Sequence, residues 1–135
     1  MNDNTESNFT DNYDYIKIIK QLFAEYTHII YSYNLKLKAV SFQIVSTSSW
    51  WGRWDPELRI ISLSRSLIYN YPWHIIREVI KHEIAHQYVS EYLNTDENHG
   101  PQFKKICAHL GTEPWAAKAC VDLSTVNHKG DLRKS

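Results

Sequence analysis

From Tyr15 the apolar residues Tyr15, Ile18, Ile19, Leu22, Phe23 and Tyr26 recur at steps of three and four. That spacing is the mark of an amphipathic helix laid on a core, and it predicts a first helix over residues 15 to about 31. Further on the period shortens. Val40, Phe42 and Ile44 alternate with Ser41, Gln43 and Val45, and residues 58–63 are rich in branched side chains, so both stretches read as strands. Residues 50–54 supply a third strand. Asp55-Pro56 suits a tight turn after it, because Pro presets φ and Asp bonds back to the backbone. A small antiparallel sheet of about three strands is therefore expected. Pro72 fits a first helical turn, and no Gly or Pro interrupts residues 73–93. Trp73, Ile76, Ile80 and Ile84 form one stripe there, while Ile75, Val79, His82, His86, Val89 and Leu93 form a neighbouring one, which predicts the longest helix of the chain. Gly100-Pro101 restarts the chain into a shorter helix with Phe103, Ile106, Cys107 and Leu110 on one face, stopped by Gly111. Ala116, Ala117, Ala119 and Val121 suggest a last helical piece from Pro114 to about Leu123. The pattern is of α+β class.

At 135 residues one domain is the natural count. Fifteen Lys and Arg balance fifteen Asp and Glu, so there is no overall basic field to hold nucleic acid or an anionic membrane, and such binding needs a local patch. Residues 1–14 hold Asp3, Glu6, Asp11 and Asp14, no Lys or Arg and no apolar period. They read as a disordered acidic lead-in, followed by a domain over residues 15–123 and a short flexible tail over 124–135 whose basic cluster is Lys129, Arg133 and Lys134. The acidic start is unlike a secretory signal, and no stretch approaches the roughly 18 apolar residues of a membrane span. A soluble, cytoplasmic monomer without membrane contact is the simplest expectation. Cys107 and Cys120 have no C-x-x-C partner, so neither a disulfide framework nor a cysteine zinc knuckle is indicated.

Chemistry enters with His82-Glu83-Ile84-Ala85-His86, an H-E-x-x-H pattern inside the best predicted helix, which is the context that motif requires. Histidines at i and i+4 project from one face and can share one zinc. Glu83 points about 100° round the helix, beside the metal, where a general base belongs. A catalytic zinc needs a third protein ligand and an open position for water. Val89 and Tyr92 stand where the extended H-E-x-x-H-x-x-G-x-x-H pattern needs Gly and His, which excludes the metzincin type. His99, at the start of the short helix, is the leading third ligand. Glu97 and Glu113 are the carboxylate runners-up, and Asp96 is a further candidate. Glu91 reads as a solvated charge round the other side of the helix, and His109 as an exposed residue favoured by a helix C-terminus. Tyr88, Tyr92, Arg65 and His74 are alternative oxyanion donors. Trp50, Trp51 and Trp54, with Arg53 among them, read first as aromatics covering a small sheet. The sharper reading is a stacking platform for unpaired bases, with Arg53 as phosphate or cation-π partner.

The H-E-x-x-H segment, followed by Asn98-His99-Gly100-Pro101-Gln102-Phe103-Lys104 and Leu110-Gly111, resembles the SprT-like zinc metalloprotease family, to which the DNA-repair protease Spartan belongs. Upstream, Gly52-Arg53-Trp54-Asp55 and residues 60–64 are similar to the strand pair preceding the active helix in that family. The resemblance spans residues 15 to 123 or so. It implies a zincin-like fold, one zinc per chain held by His82, His86 and His99, Glu83 as catalytic acid/base, and a protein or peptide substrate. For the best-known relatives it also implies substrates bound or crosslinked to DNA, with single-stranded DNA as a partner and a nuclear or nucleoid location. This sequence lacks the paired cysteines of the zinc ribbon that many relatives carry. Two rival readings stand beside it: a non-catalytic zinc-stabilised DNA- or protein-binding module, and a maturation peptidase unrelated to DNA.

Overall fold

A computed structural model describes the backbone of residues 2–94 and 99–112, with side chains from residue 14 onward. Helix α1 (Asn2–Ser32) is followed by β1 (Ser41–Val45), β2 (Gly52–Asp55), β3 (Ile60–Ser64), α2 (Arg65–Asn70), α3 (Trp73–Gln87), a π-helical turn (Tyr88–Tyr92) and α4 (Pro101–Leu110). The expected α+β layout is present: an N-terminal helix, three strands, and a long helix carrying His82, Glu83 and His86. The helical piece expected near residues 114–123 and the tail lie outside the described residues, as do Asp96, Glu97 and Glu113.

Helix α1 starts ahead of Tyr15 and takes in the acidic segment read from sequence as disordered. The face that builds the core begins deeper, with Leu22, Tyr26 and Ile29 all buried.

The sheet differs from expectation in one pairing. Its strand order is β1-β3-β2; β2 and β3 are antiparallel, but β1 runs parallel to β3, with Phe42 opposite Ile61. Asp55 accepts hydrogen bonds from the N–H groups of Glu57 and Leu58 at 2.9 and 3.0 Å, and this tight turn commits one edge of β3 to β2. The other edge is left for β1, whose direction residues 46–51 set by crossing to the start of β2. Alternation of apolar residues marks a strand's faces and says nothing about the direction of its neighbour. The central strand carries the burial, Ile61 and Leu63 being fully enclosed.

Helix α2 was not evident from periodicity. It is short, and its signal is local: the Ser64 hydroxyl accepts the Leu67 N–H at 3.0 Å, an N-cap, the geometry Ser favours at helix starts. Helix α3 packs on the sheet through Ile76, Val79, Ile80 and Ile84, and α4 closes the core with Phe103, Ile106, Cys107 and Leu110, all buried. Gly111, at φ 73°, ends α4 in the left-handed conformation that glycine adopts without steric cost. Glu25 ties α1 to α3 by accepting from Trp73 Nε1 at 2.7 Å and Arg77 Nε at 3.1 Å. Among the described residues no helix is long and apolar enough to cross a membrane.

Candidate metal centre

His82 and His86 lie one turn apart on α3, and both turn towards α4. His99 reaches them from the residue before the α4 cap Gly100. Its backbone sits at φ 62°, in the left-handed region, which histidine enters more readily than most residues. Ligand nitrogens of the three histidines lie within 4.8 Å of one another, close enough for small ring rotations to bring all three onto one ion. The ring centroids are 5.0 Å apart for His82 and His86, 4.8 Å for His86 and His99, and 5.5 Å for His82 and His99.

Phe103, fully buried, is the floor of this cluster. Its ring centroid lies 5.1 Å from that of His82, 4.4 Å from His86 and 4.8 Å from His99. Such surroundings disfavour charge. Burial, then the neighbouring His86 and His99, pushes His82 down to about 3. Burial and His99 push His86 down to about 4, and burial lowers His99 as well. Neutral imidazole is the form that binds a metal. The buried Nδ1 of His82 has no hydrogen-bond partner, a costly state for a polar atom that a bound cation would relieve. The donor set therefore fits zinc.

Glu83 lies against β2. It is 3% exposed, accepts a hydrogen bond from the Trp54 backbone N–H, and burial outweighs that bond to raise its carboxyl to about 8. A Cβ placed on Gly52 would lie 3.1 Å from Glu83 Oε2 and 2.7 Å from Val79 Cγ1. The strand can come this near only because residue 52 has no side chain. Nothing in the apolar pattern marked Gly52 for this role.

Glu91 corrects the sequence reading. It is not a solvated charge: Arg59 pairs with it, and the Lys38 N–H donates to its Oε2 at 3.0 Å. His109 is exposed in the last turn of α4 as expected, with Nε2 3.2 Å from the Tyr33 carbonyl. Of the alternative oxyanion donors, Tyr88 and Tyr92 line a cavity of about 410 Å³ with Lys36 and Lys105, Arg65 lies over Tyr69, and His74 is exposed on the first turn of α3.

The tryptophans divide. Trp51 packs edge-on against Tyr71, ring centroids 4.9 Å apart, and Trp54 donates to Ser90 Oγ at 2.9 Å; both lean on the core. Trp50 pairs instead with Arg53, whose guanidinium carbon is 5.8 Å from its ring centre.

A three-stranded sheet backed by a helix that carries paired histidines and a glutamate, with a third histidine returning from the next helix, is the architecture of a compact metallopeptidase. Two solved structures share the fold: the metallopeptidase zymogen abylysin of Pyrococcus abyssi, with a TM-score of 0.60 and 15% identity over 82% of this chain and 98% of that one, and the metallopeptidase zymogen jannalysin of Methanocaldococcus jannaschii, with a TM-score of 0.51 and 16% identity over 64% and 77%. No curated protein matches the sequence. The chain belongs to the SprT-like family, whose model matches residues 19–125, and with its His82-Glu83-x-x-His86 and His99 cluster it is a metallopeptidase.

Proposed function

We propose that the protein is a zinc-dependent endopeptidase in which His82, His86 and His99 hold the metal and Glu83 is the catalytic acid/base. The observation that carries this reading is the convergence of three histidine nitrogens within 4.8 Å, with a buried carboxyl one residue along the helix. Three protein donors leave the fourth position of a tetrahedral ion to water or substrate, whereas a structural clamp would use four. Zinc held there would polarise a scissile carbonyl and lower the pKa of water from about 15.7 towards about 7. Glu83 takes the proton of the attacking water and returns it to the leaving amine. Its raised proton affinity suits both halves of that cycle, and a dication held by the histidines would draw the carboxyl down towards its charged, proton-accepting form.

Substrate enters most simply as an extended segment beside β2, whose outer edge pairs with no other strand among the described residues, since main-chain pairing requires little sequence. The close approach of Gly52 to Glu83 supports this, since it sets that edge beside the base. The finer reading, proteins bound or crosslinked to DNA, draws support from the family and from the Arg53–Trp50 pair at the end of β2.

Glu83→Gln tests the core of the reading. It should keep zinc and fold while losing cleavage of an unfolded protein by about a hundredfold to ten-thousandfold, the usual contribution of a general acid/base. Unchanged cleavage would remove the assignment.

A further inference from the structure

The chain immediately after His86 is held by a polar network centred on the backbone of one residue, Lys38, just ahead of β1. Gln87 is fully buried; its Nε2 donates to the Lys38 carbonyl at 3.0 Å. Its Oε1 accepts from the Tyr26 hydroxyl at 2.9 Å, whose single hydrogen has the Lys38 carbonyl as its alternative acceptor at 3.1 Å. On the other side of the same residue, the Lys38 N–H donates to Glu91 Oε2. Arg59, itself at φ 56°, pairs with Glu91 and donates to the carbonyls of Lys38 and Ala39 at 2.9 and 3.0 Å. Burial pushes the Glu91 carboxyl upward, but the bonds from Arg59, Lys38 and Gln87 outweigh it and hold it below its ordinary value.

Glu91 lies within the π-helical turn, which Leu93 N closes onto Tyr88 O at 3.1 Å. A π-turn inserts one residue into the helical ladder. Relaxation to an ordinary α-helix would rotate everything beyond it by about 100° and advance it by about 1.5 Å. His99 stands six residues past Leu93, the residue that closes the turn. Because this wide turn is uncommon and individually unfavoured, something outside the helix has to hold it, and the carboxylate of Glu91 is anchored to two other parts of the fold.

We infer that Glu91 and Arg59, with Gln87 and Tyr26, are positioning residues for the metal centre: they fix the π-turn that sets where His99 meets His82 and His86. This rests on the three-histidine site proposed above, and it is read from the metal rather than from cleavage. None of the four needs to touch substrate.

The test is metal binding by the full chain, using cobalt as a spectroscopic stand-in for zinc. Glu91→Gln keeps the shape of the side chain, and Arg59→Lys keeps the charge while losing the forked contact. Both should weaken zinc affinity by about 10- to 100-fold, the usual effect of removing support behind metal ligands, and change the cobalt absorption bands that report coordination geometry. Glu25→Gln is the control, since Glu25 ties α1 to α3 through Trp73 and Arg77 without touching the π-turn; it should lower the melting temperature and leave the cobalt spectrum unchanged. Wild-type affinity and spectrum in both Glu91→Gln and Arg59→Lys, or an equal change in Glu25→Gln, would overturn the inference. A wild type that bound neither metal would overturn the three-histidine site and this inference together. If cobalt binds normally to every variant but no protein is cut, the inference fails on the spectra and the peptidase reading fails separately on activity.

Discussion

Gly52 lies against Glu83 so closely that one added methyl group would fall within 3.1 Å of the carboxylate and 2.7 Å of Val79. The strand and the helix carrying His82 and His86 are thus fitted to each other at the carboxyl proposed as the base. Gly52→Ala should destabilise the protein by about 1–3 kcal/mol, the usual cost of overfilling a packed site, and should lower cleavage beyond what the melting shift explains. Comparison of thermal melts with turnover at a temperature where both proteins are folded checks this; wild-type turnover would show that the strand yields freely.

Zinc content separates the three ligands from the other histidines. Protein purified without added metal should carry close to one zinc per chain, and His82→Ala, His86→Ala and His99→Ala should lose most of it, while His109→Ala retains it. Since metal binding contributes folding free energy, the three ligand variants should also melt lower. Elemental analysis reads the first effect and calorimetry the second. Full zinc in His99→Ala would hand the third position to another residue.

The active-site helix was legible because its stripe repeats over four turns and carries the motif on a face of known period. The same is true of the α4 face, where Phe103, Ile106, Cys107 and Leu110 are buried together. Asp55 performs the turn its sequence announces. What stayed hidden depends on residues distant in the chain. The partner of Glu91 is Arg59, 32 positions away, and the nearness of Gly52 to Glu83 comes from how a strand crosses a helix. The parallel pairing of β1 leaves no trace in alternation, and neither does the split of the tryptophan cluster, since Trp51 leans on the core from outside β2 and Trp54 from within it.

In metal-free protein the site should make stability depend on pH in both directions. His82 and His86, depressed by burial to about 3 and about 4, contribute stability that is present above about pH 6.5 and is lost as pH falls through their folded values. Glu83, raised by burial to about 8, contributes stability that is present below the ordinary carboxylate range and is lost as pH rises towards 8. Between about pH 4.5 and 6.5 the unfolded chain binds two more protons at the histidines and the folded chain one more at Glu83, so stability still rises with pH. The maximum should therefore fall near pH 6.5. Melting curves of chelator-treated protein from pH 4 to 9 test this, and Glu83→Gln should abolish the decline above the maximum. An identical decline in that variant would place its origin elsewhere.

Any DNA effect should be small and salt-sensitive, because a chain with no net charge neutralises few phosphates. Single-stranded DNA at low salt should accelerate cleavage of a DNA-bound protein, and Arg53→Ala should remove the acceleration without altering basal cleavage. Trp51→Ala should lower the melting temperature instead, since Trp51 packs on Tyr71. A wild-type rate indifferent to DNA, with plain unfolded protein cut equally well, would favour a maturation or general peptidase.

All three histidine rings of the proposed metal site rest on the same Phe103 side chain, with centroids between 4.4 and 5.1 Å away. The ligands are therefore not independent parts that can be exchanged one at a time. A carboxylate put in place of any one histidine would lose its contact with the aromatic floor, set a charge against it, and shift the ring under the remaining two. Through the residue beneath them, a change at one histidine is felt by the other two.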